Sequence, residues 1–431
     1  MKKVISILLL LVFIIPFKAG AEDVIKKGEA LNLQQCIGIA LEKNPGIIAA
    51  INTVDVNQSR IGQAKANYYP QINLSSGYSR YSPVSSSISS IPSTSHSFDQ
   101  YSTSATLSQN IYDFGKTPTQ VEIQRLNFNS SRSDLENVKE QIIFNVKQAY
   151  YGLLQAKRNR DVAAETVKQF QQHLEQAKGF YEVGTKPKYD VTTAEVNLSN
   201  ARLNLIKAEN ALGIARVNLN NAIGVPDAPE YTIEDNLLFH KVNYEITFEN
   251  ALSRAYKNRP DLQSIIAKKN AAESSVELVK KGYYPTLSGN AAYNWAGEGF
   301  PLDHGWNAGV TITFPIFSGF LTKYQVEEAR SNLNVLKANE ESLKQSVLLD
   351  VQQAYLNLKQ AEESVPTAEL AVRQATENLE IANGRYAAGV GNPIEVTDAE
   401  VTYSNAKLSY IQALYNHKVA QASLEKAMGS E

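Results

Sequence analysis

The sequence predicts an α+β protein made of two similar halves, in which long antiparallel helices extend from short alternating strands. Three observations predict this fold class. A Tyr-x-x-Gly turn motif ends at Gly184 and again at Gly389. Aligned on these glycines, the two copies are identical at 15 of the 35 positions from Asp190 to Gly224. Helical and strand-like segments follow in the same order in both halves, which indicates an internal duplication.

The N-terminal residues have the pattern of a secretory signal peptide. Lys2 and Lys3 precede an apolar run from Val4 to Ile15, and Ala19-Gly20-Ala21 forms a small-x-small cleavage site. Residues 1–21 are therefore predicted to be removed. Their loss takes away three lysines and no acid, so the formal net charge changes from −2 to −5. A weakly acidic exported chain is a poor candidate for nucleic-acid binding.

The first structural repeat is predicted to span residues 22–226. A helical stretch interrupted at Asn44-Pro45 comes first. The strands are expected within about 71–112, where Ser, Thr, Tyr and Asn alternate with apolar side chains. Two long helices follow, at about 116–181 and 190–223. At 1.5 Å per residue the first of them would be roughly 100 Å long.

Residues 227–244 are predicted to be a linker, and the second structural repeat is predicted to span 245–431. Its strands are expected at about 286–317 and its long helices at about 321–386 and 394–428. In the shorter helix of each half, alanine recurs at every seventh position. Alanine at alternate positions of a heptad seam lets two backbones approach closely, which predicts tight antiparallel hairpins.

Strands of about ten alternating residues have the length that crosses a bilayer. A water-exposed sheet of a soluble protein is the alternative, but Ser, Asn and Gly faces suit a water-filled lumen. Only four such strands exist, whereas a barrel needs at least about eight and open edges are not tolerated in lipid. Two copies would give eight strands with a filled interior, and three would give twelve with room for a channel. A trimer is preferred, because long helices continuing from a wide barrel would form a hollow tube.

The mature chain resembles the outer-membrane efflux protein family over essentially its whole length. Beside the duplication, the residues that carry the resemblance are Asn44-Pro45, Tyr68-Tyr69-Pro70, Tyr112-Asp113-Phe114-Gly115, and the paired turns leading into Asp190-Val191 and Glu395-Val396. The resemblance implies a homotrimeric 12-stranded β-barrel in outer-membrane lipid, continued across the periplasm by an α-helical coiled-coil barrel. It also implies a periplasmic adaptor (membrane fusion) protein and an inner-membrane transporter as partners.

The function implied is a passive channel-tunnel of a tripartite efflux or type I secretion system, whose periplasmic tip opens when adaptor and pump engage it. Two alternatives are a periplasmic coiled-coil tether or adaptor, and a stand-alone porin. An enzyme is not expected. The five histidines lack metal-ligand spacing, and Gly389-Val390-Gly391 is too short for a phosphate loop. No catalytic residue, metal site or cofactor is therefore predicted.

The two glycine turns are expected at the far tip of the helices, where the resemblance implies a closing constriction. It places Asp190 and Tyr386 on the linking positions of this gate. The family's best-studied member has an arginine where this chain has Gly391, so Lys186 or Lys188 is the candidate cation for Asp190. An alternative is that Asp190 is an ordinary acid at a helix N-terminus, where the helix dipole favours it.

Two further features of the tip are predicted. Glu395 and Asp398 are three residues apart and share a helix face, so three copies would form an acidic, cation-selective entrance ring. Thr193 replaces the second acid in the first half. The tip turns themselves are the expected adaptor-docking residues: Val183, Gly184, Thr185, Gly389 and Val390.

Overall fold

A computed structural model describes residues 25–82, 97–235 and 246–429 of the chain. The predicted signal peptide, residues 1–21, lies outside the described residues. The structure confirms the predicted fold class: long helical hairpins and a small antiparallel sheet, each contributed by both halves. Cys36, the one cysteine of the sequence, is buried.

Helices and strands follow the same order twice. The first half contains β1 (Ala30–Leu31), α1 (Leu33–Lys43), α2 (Pro45–Lys65), β2 (Gln71–Tyr81), β3 (Phe98–Tyr112), α3 (Lys116–Glu182), α4 (Lys188–Ala222) and β4 (Thr232–Ile233). The second half contains α5 (Phe248–Asn258), α6 (Pro260–Lys280), β5 (Thr286–Gly297), β6 (Asp303–Thr313), α7 (Leu321–Ala387) and α8 (Pro393–Ala427). Helices α3 and α7 have 67 residues each, which gives each a length of about 100 Å.

The four long strands form one antiparallel sheet in the order β2-β3-β5-β6. The central pair β3-β5 joins the two halves, and its register shifts between Asn110 and Tyr112. Apolar side chains such as Ile72 and Leu74 of β2 are exposed on this sheet. Within one chain β2 and β6 are edge strands, so each leaves a row of backbone groups without a partner in this sheet.

The long helices pack side by side in the order α4-α3-α8-α7. Each hairpin closes along its alanine seam, as Ala194 and Ala399 show by being almost fully buried near the two turns. Helix α8 packs on α3, and α6 packs on both α3 and α7, so these contacts together hold the two hairpins side by side. None of the helices in the described part of the chain is both long and apolar enough to cross a lipid bilayer.

The described part of the predicted linker, residues 227–235, is tied back to the start of the chain, and residues 236–244 lie outside the described residues. Strand β4 pairs in parallel with β1, and Tyr150 Oη of α3 donates a hydrogen bond to the Glu234 carbonyl oxygen at 2.8 Å. Tyr231 Oη donates to Asn220 Oδ1 of α4 at 2.7 Å. The rings of Tyr150 and Tyr231 are part of a buried hydrophobic cluster. This cluster also contains Cys36 of α1 and Leu414 of α8. The middle of the molecule is therefore well packed, and the helix ends extend away from it.

Candidate functional site at the helix tips

The glycine of each hairpin turn has the same left-handed backbone conformation. Gly184 has φ of 74° and Gly389 has φ of 76°, the left-handed region that glycine enters without strain. Thr185 N–H donates to the Phe180 carbonyl oxygen at 3.0 Å, and in the second turn Val390 N–H donates to that of Arg385 at 3.1 Å. Such bonds satisfy the last carbonyl groups of a helix in the Schellman type of ending.

The helix after the first turn begins two residues earlier than predicted. Pro187 has an extended backbone, with φ of −76° and ψ of 158°, and acts as the N-cap. Helix α4 therefore begins at Lys188, and Asp190 lies in its first turn. In the second turn Asn392 caps α8, because its Oδ1 accepts the backbone N–H of Ile394 at 2.9 Å.

Tyr386 is the central side chain of the tip, and it joins the two hairpins. Its ring lies 5.0 Å from the ring of His173 and 5.5 Å, edge to face, from that of Phe180, both on α3. Only 1 % of Tyr386 is exposed, whereas 46 % of Tyr181, its equivalent in the first half, is exposed. The second hairpin thus inserts an aromatic ring into the first, and the reverse insertion does not occur.

Asp190 is buried beside this aromatic cluster. Burial raises the pKa of Tyr386, and the Asp190 carboxylate raises it further. Burial lowers the pKa of His173, and Asp190 partly opposes this. The structure therefore brings Asp190 and Tyr386 together. Tyr386 Oη is nevertheless buried without a hydrogen-bond partner among the described residues, so ring packing is what fixes this side chain.

The two candidate lysines differ in position. Lys186 Nζ lies 5.9 Å from the centre of the Tyr386 ring, within the range of a cation–π contact. Lys188 is exposed. In the described part of the chain, no Lys or Arg nitrogen lies within 4.0 Å of the Asp190 carboxylate. Lys186 therefore contacts the gate through Tyr386 and not through Asp190.

Gly391 lies where the second turn passes very close to its own helix. A Cβ atom at this position would lie 2.7 Å from the Tyr386 backbone nitrogen and 2.9 Å from the Arg385 carbonyl carbon. Backbone atoms cannot move aside as a flexible side chain can, so this turn has no room for any residue but glycine. An arginine at position 391 would require a different turn conformation.

The two acids of the second turn are exposed, as an entrance ring requires. Glu395 has a partner that the sequence interpretation missed, since Arg385 Nε lies 3.4 Å from its Oε2. Asp398 forms no ion pair within the described residues. The spacing of these acids was visible in the sequence, but the position of Arg385 depends on how the turn folds back.

The extreme ends of the turns are apolar and exposed. Val183 is 71 % exposed and Val390 is 72 % exposed. They lie beside Gly184, Thr185 and Gly389, the other residues predicted to dock an adaptor. Thr185 Oγ1 donates back to the Phe180 carbonyl oxygen at 2.9 Å, so this hydroxyl supports the turn.

A polar cluster above the tip also links the two hairpins. Glu165 of α3 accepts hydrogen bonds from Tyr403 Oη at 3.1 Å and from Lys407 Nζ at 2.7 Å, both on α8. One residue further along α3, Thr166 Oγ1 lies 3.1 Å from Ser404 Oγ. The sequence interpretation missed this cluster. Its members are ordinary helix-surface residues, and only the packing of α3 on α8 brings them together.

Comparisons with known proteins give one consistent result. The family model described as outer membrane efflux protein matches residues 36–225 and 251–430. The outer membrane protein TolC of Escherichia coli K12 is 24 % identical over 427 residues, covering 93 % of this chain and 83 % of that protein.

Solved structures show the same fold. The Campylobacter jejuni CmeC outer membrane channel has a TM-score of 0.80 at 19 % identity, covering 92 % of this chain and 85 % of that one. The outer membrane protein VceC of Vibrio cholerae has a TM-score of 0.79 at 18 % identity, covering 92 % of this chain and 96 % of that one.

Proposed function

The chain belongs to the outer membrane efflux protein family, and we propose on this basis that three copies form one exit duct, opened at its helix tips by a periplasmic adaptor protein and an inner-membrane transporter. Membership confirms three predictions: a passive channel, a location in the cell outer membrane extending into the periplasm, and no enzymatic activity. It also argues against a periplasmic tether. The trimer, the gate residues and the two partners are the parts proposed here.

The open edges of the sheet support the trimer. A four-stranded sheet with free edges at β2 and β6 cannot remain open in lipid, where every backbone N–H and carbonyl group needs a partner. Three copies joined edge to edge would give twelve strands, a size that encloses a water-filled lumen.

The helix layer supports the same assembly. Helix α4 lies at one end of the layer and α7 at the other. Both carry large apolar residues that are exposed in a single chain. These are Val196, Leu203, Ile206, Ile214 and Val217 on α4, and Val335, Leu348, Leu349, Leu356, Leu370 and Ile381 on α7. Because the two faces are different, they suit a head-to-tail contact that closes into a ring.

The packing of Tyr386 supports a gate at the tip. Separating the second hairpin from the first would expose its ring, which now lies between His173 and Phe180. Burying an aromatic side chain stabilises a structure by several kcal/mol. Asp190 places a negative charge next to this ring. Lys186 places its ammonium group over the ring. Lys188 is exposed and has a smaller expected role.

The proposed entrance is acidic and its rim is apolar. In a trimer, three copies of Glu395 and Asp398 would surround one opening and attract cations. Arg385 neutralises part of this charge at Glu395, so Asp398 is expected to contribute more. The exposed Val183 and Val390 side chains suit an adaptor with an apolar surface of its own.

Fractionation and a deletion strain test this function. We expect a trimer in the outer membrane that separates into single chains only on heating in detergent. Cross-linking from cysteines introduced at Val183 or Val390 should capture a periplasmic partner. A soluble monomer would overturn the trimeric duct. An outer-membrane trimer whose loss leaves efflux and secretion unchanged would identify a stand-alone porin instead.

A further inference from the structure

Glu400 lies on the face of α8 that packs against the first hairpin. Only 3 % of the residue is exposed, and its Oε2 atom is buried without a hydrogen-bond partner among the described residues. Glu195, which occupies the same place in the first half, is exposed. A buried carboxylate is costly when it is charged and unpaired. The packed arrangement therefore favours the neutral carboxylic acid.

Contacts on either side place Glu400 at the seam between the hairpins. One turn towards the tip, Thr397 Oγ1 accepts a hydrogen bond from Asn197 Nδ2 of α4 at 3.4 Å. One turn in the other direction, Ser404 Oγ lies 3.1 Å from Thr166 Oγ1 of α3. The side chain of Glu400 thus lies where α8 meets both helices of the first hairpin.

The titratable groups along this seam come from each of the long helices, and none of them pairs with Glu400. Helix α3 contributes Glu165 and His173, α4 contributes Asp190, and α7 contributes Tyr386. Glu165 is already engaged by Lys407 of α8 at 2.7 Å. Within the described residues no cation lies within 4.0 Å of the Glu400 carboxylate.

The nearest lining residue of a neighbouring cavity is one helical turn from Glu400. A cavity of about 520 Å³ lies between α3, α4 and α8. The lining residues nearest the tip are Thr166, Ala201 and Ser404. Ser404 is one helical turn from Glu400, which is about 6 Å along the axis. A proton exchanging with this cavity would have to cross about one helical turn to reach the carboxyl.

We propose that Glu400 is a proton-binding gating residue: with its carboxyl neutral, α8 stays packed on α3, and loss of the proton favours the separated, open tip. This inference rests on the proposed gate at the helix tips. The inference adds to the gate a signal, the proton, and a residue that binds it. The equivalent residue of the first half, Glu195, is exposed.

The direction of the pH response follows from the burial of Glu400. Burial raises its pKa from 4.5 to about 7. Opening would expose the carboxyl and return its pKa towards the ordinary value, so opening releases a proton between these two pH values. Higher pH therefore favours the open tip, by at most about tenfold per pH unit for each Glu400 that is exposed. Above about pH 7 the effect is complete.

His173 acts in the opposite direction. Burial lowers its pKa from 6.5, although Asp190 partly opposes this. Acid therefore favours exposure and protonation of His173, and with it the open tip. Below about pH 6.5, where both groups titrate, the two contributions offset each other, so the rise that Glu400 sets is expected between about pH 6.5 and about pH 7.

The test compares Glu400→Gln with Glu195→Gln in reconstituted trimers. Resting conductance in planar bilayers is measured between about pH 5 and about pH 9, on both sides of the raised pKa. We expect the wild type and Glu195→Gln to conduct more as the pH rises from about 6.5 to about 7, where Glu400 acts unopposed, and Glu400→Gln to show no rise over that range. An alkaline rise retained in Glu400→Gln, or lost in Glu195→Gln, would overturn the proposal.

Two measurements keep the outcome unambiguous. The infrared C=O band of a protonated buried carboxyl should disappear near pH 7 in the wild type and be missing from Glu400→Gln; no such band in the wild type would contradict the proposal even if the variant misfolds. Tyr386→Ala reports on the gate itself. If Tyr386→Ala raises the conductance while Glu400→Gln keeps the pH response, the gate stands and the proton signal fails.

Discussion

The two tip turns share the conformation of their glycine and have opposite surroundings. Gly184 and Gly389 have left-handed φ values within a few degrees of each other, yet Tyr181 is half exposed and Tyr386 is fully buried. The acidic residues after each turn also differ in burial. Asp190 is buried where Glu395 is exposed, and further along the helix Glu195 is exposed where Glu400 is buried. Duplication therefore supplied the turn, while the packing of α8 on α3 made its copies different.

Removing the two equivalent tyrosines should give the largest contrast. Tyr386→Ala deletes a fully buried aromatic ring, which typically costs about 3–5 kcal/mol, and resting conductance should rise by more than about tenfold. Tyr181→Ala should change the stability of the tip by no more than about 0.5 kcal/mol. Tyr386→Phe is the control and should stay closed, because the hydroxyl has no partner. Equal effects of the two alanine variants would show that the turns are not functionally distinct.

A side chain at Gly391 should give the next largest effect. Gly391→Ala places a Cβ atom 2.7 Å from the Tyr386 nitrogen, and forcing this overlap is expected to cost about 1–3 kcal/mol. Limited proteolysis at the second turn should become faster. At the equivalent position of the first turn, Lys186→Ala removes only a cation–π contact of about 0.5–1 kcal/mol. Unchanged proteolysis of Gly391→Ala would mean that the turn relaxes freely.

Neutralising the first acid of each turn should have a smaller effect. Asp190→Asn removes the charge that opposes the effect of burial on His173, so the pKa of His173 should fall further below 6.5. Glu395→Gln should leave that pKa unchanged, because Glu395 is exposed beside Arg385. NMR titration of histidine-labelled trimers measures both. A higher pKa of His173 in Asp190→Asn would contradict the expected interaction.

The smallest effect is expected at the entrance ring. Asp398→Asn should reduce cation selectivity more than Glu395→Gln, since Arg385 already offsets the Glu395 charge. Exposed charges are screened by salt, so the difference should be clearest at low ionic strength. Reversal potentials across a salt gradient provide the measurement. If neither single variant nor the double variant shifts them, the acids do not form a selective entrance.

Much of the architecture was predictable because it depends on local periodicity. Heptad alanines predicted the hairpins, alternating residues predicted the strands, and the count of four strands predicted that one chain alone cannot close a barrel. Residues of the tip turns could be located by the duplication. The prediction of where α4 begins was less accurate. The extended backbone of Pro187 places the N-cap closer to the turn, so the helix begins at Lys188.

The roles of equivalent residues were not predictable in the same way. Arg385, His173 and Phe180 each reach a partner that is distant in sequence or folded back across a turn, and no local pattern marks such contacts. The overlap at Gly391 also depends on the path of the backbone, so the sequence shows a missing arginine but not the lack of room for one.

The sequence by itself determined the hairpins and the strands, because helical and strand patterns depend on neighbours two to seven residues apart. It also determined the repeat and the position of the turns, because the two halves can be aligned directly. Only the tertiary structure decided which copy of each repeated residue is buried. The two halves have similar patterns, but α8 packs on α3 while α4 has a free side in the single chain. A side chain's burial depends on the helix beside it, and that neighbour breaks the symmetry of the duplication.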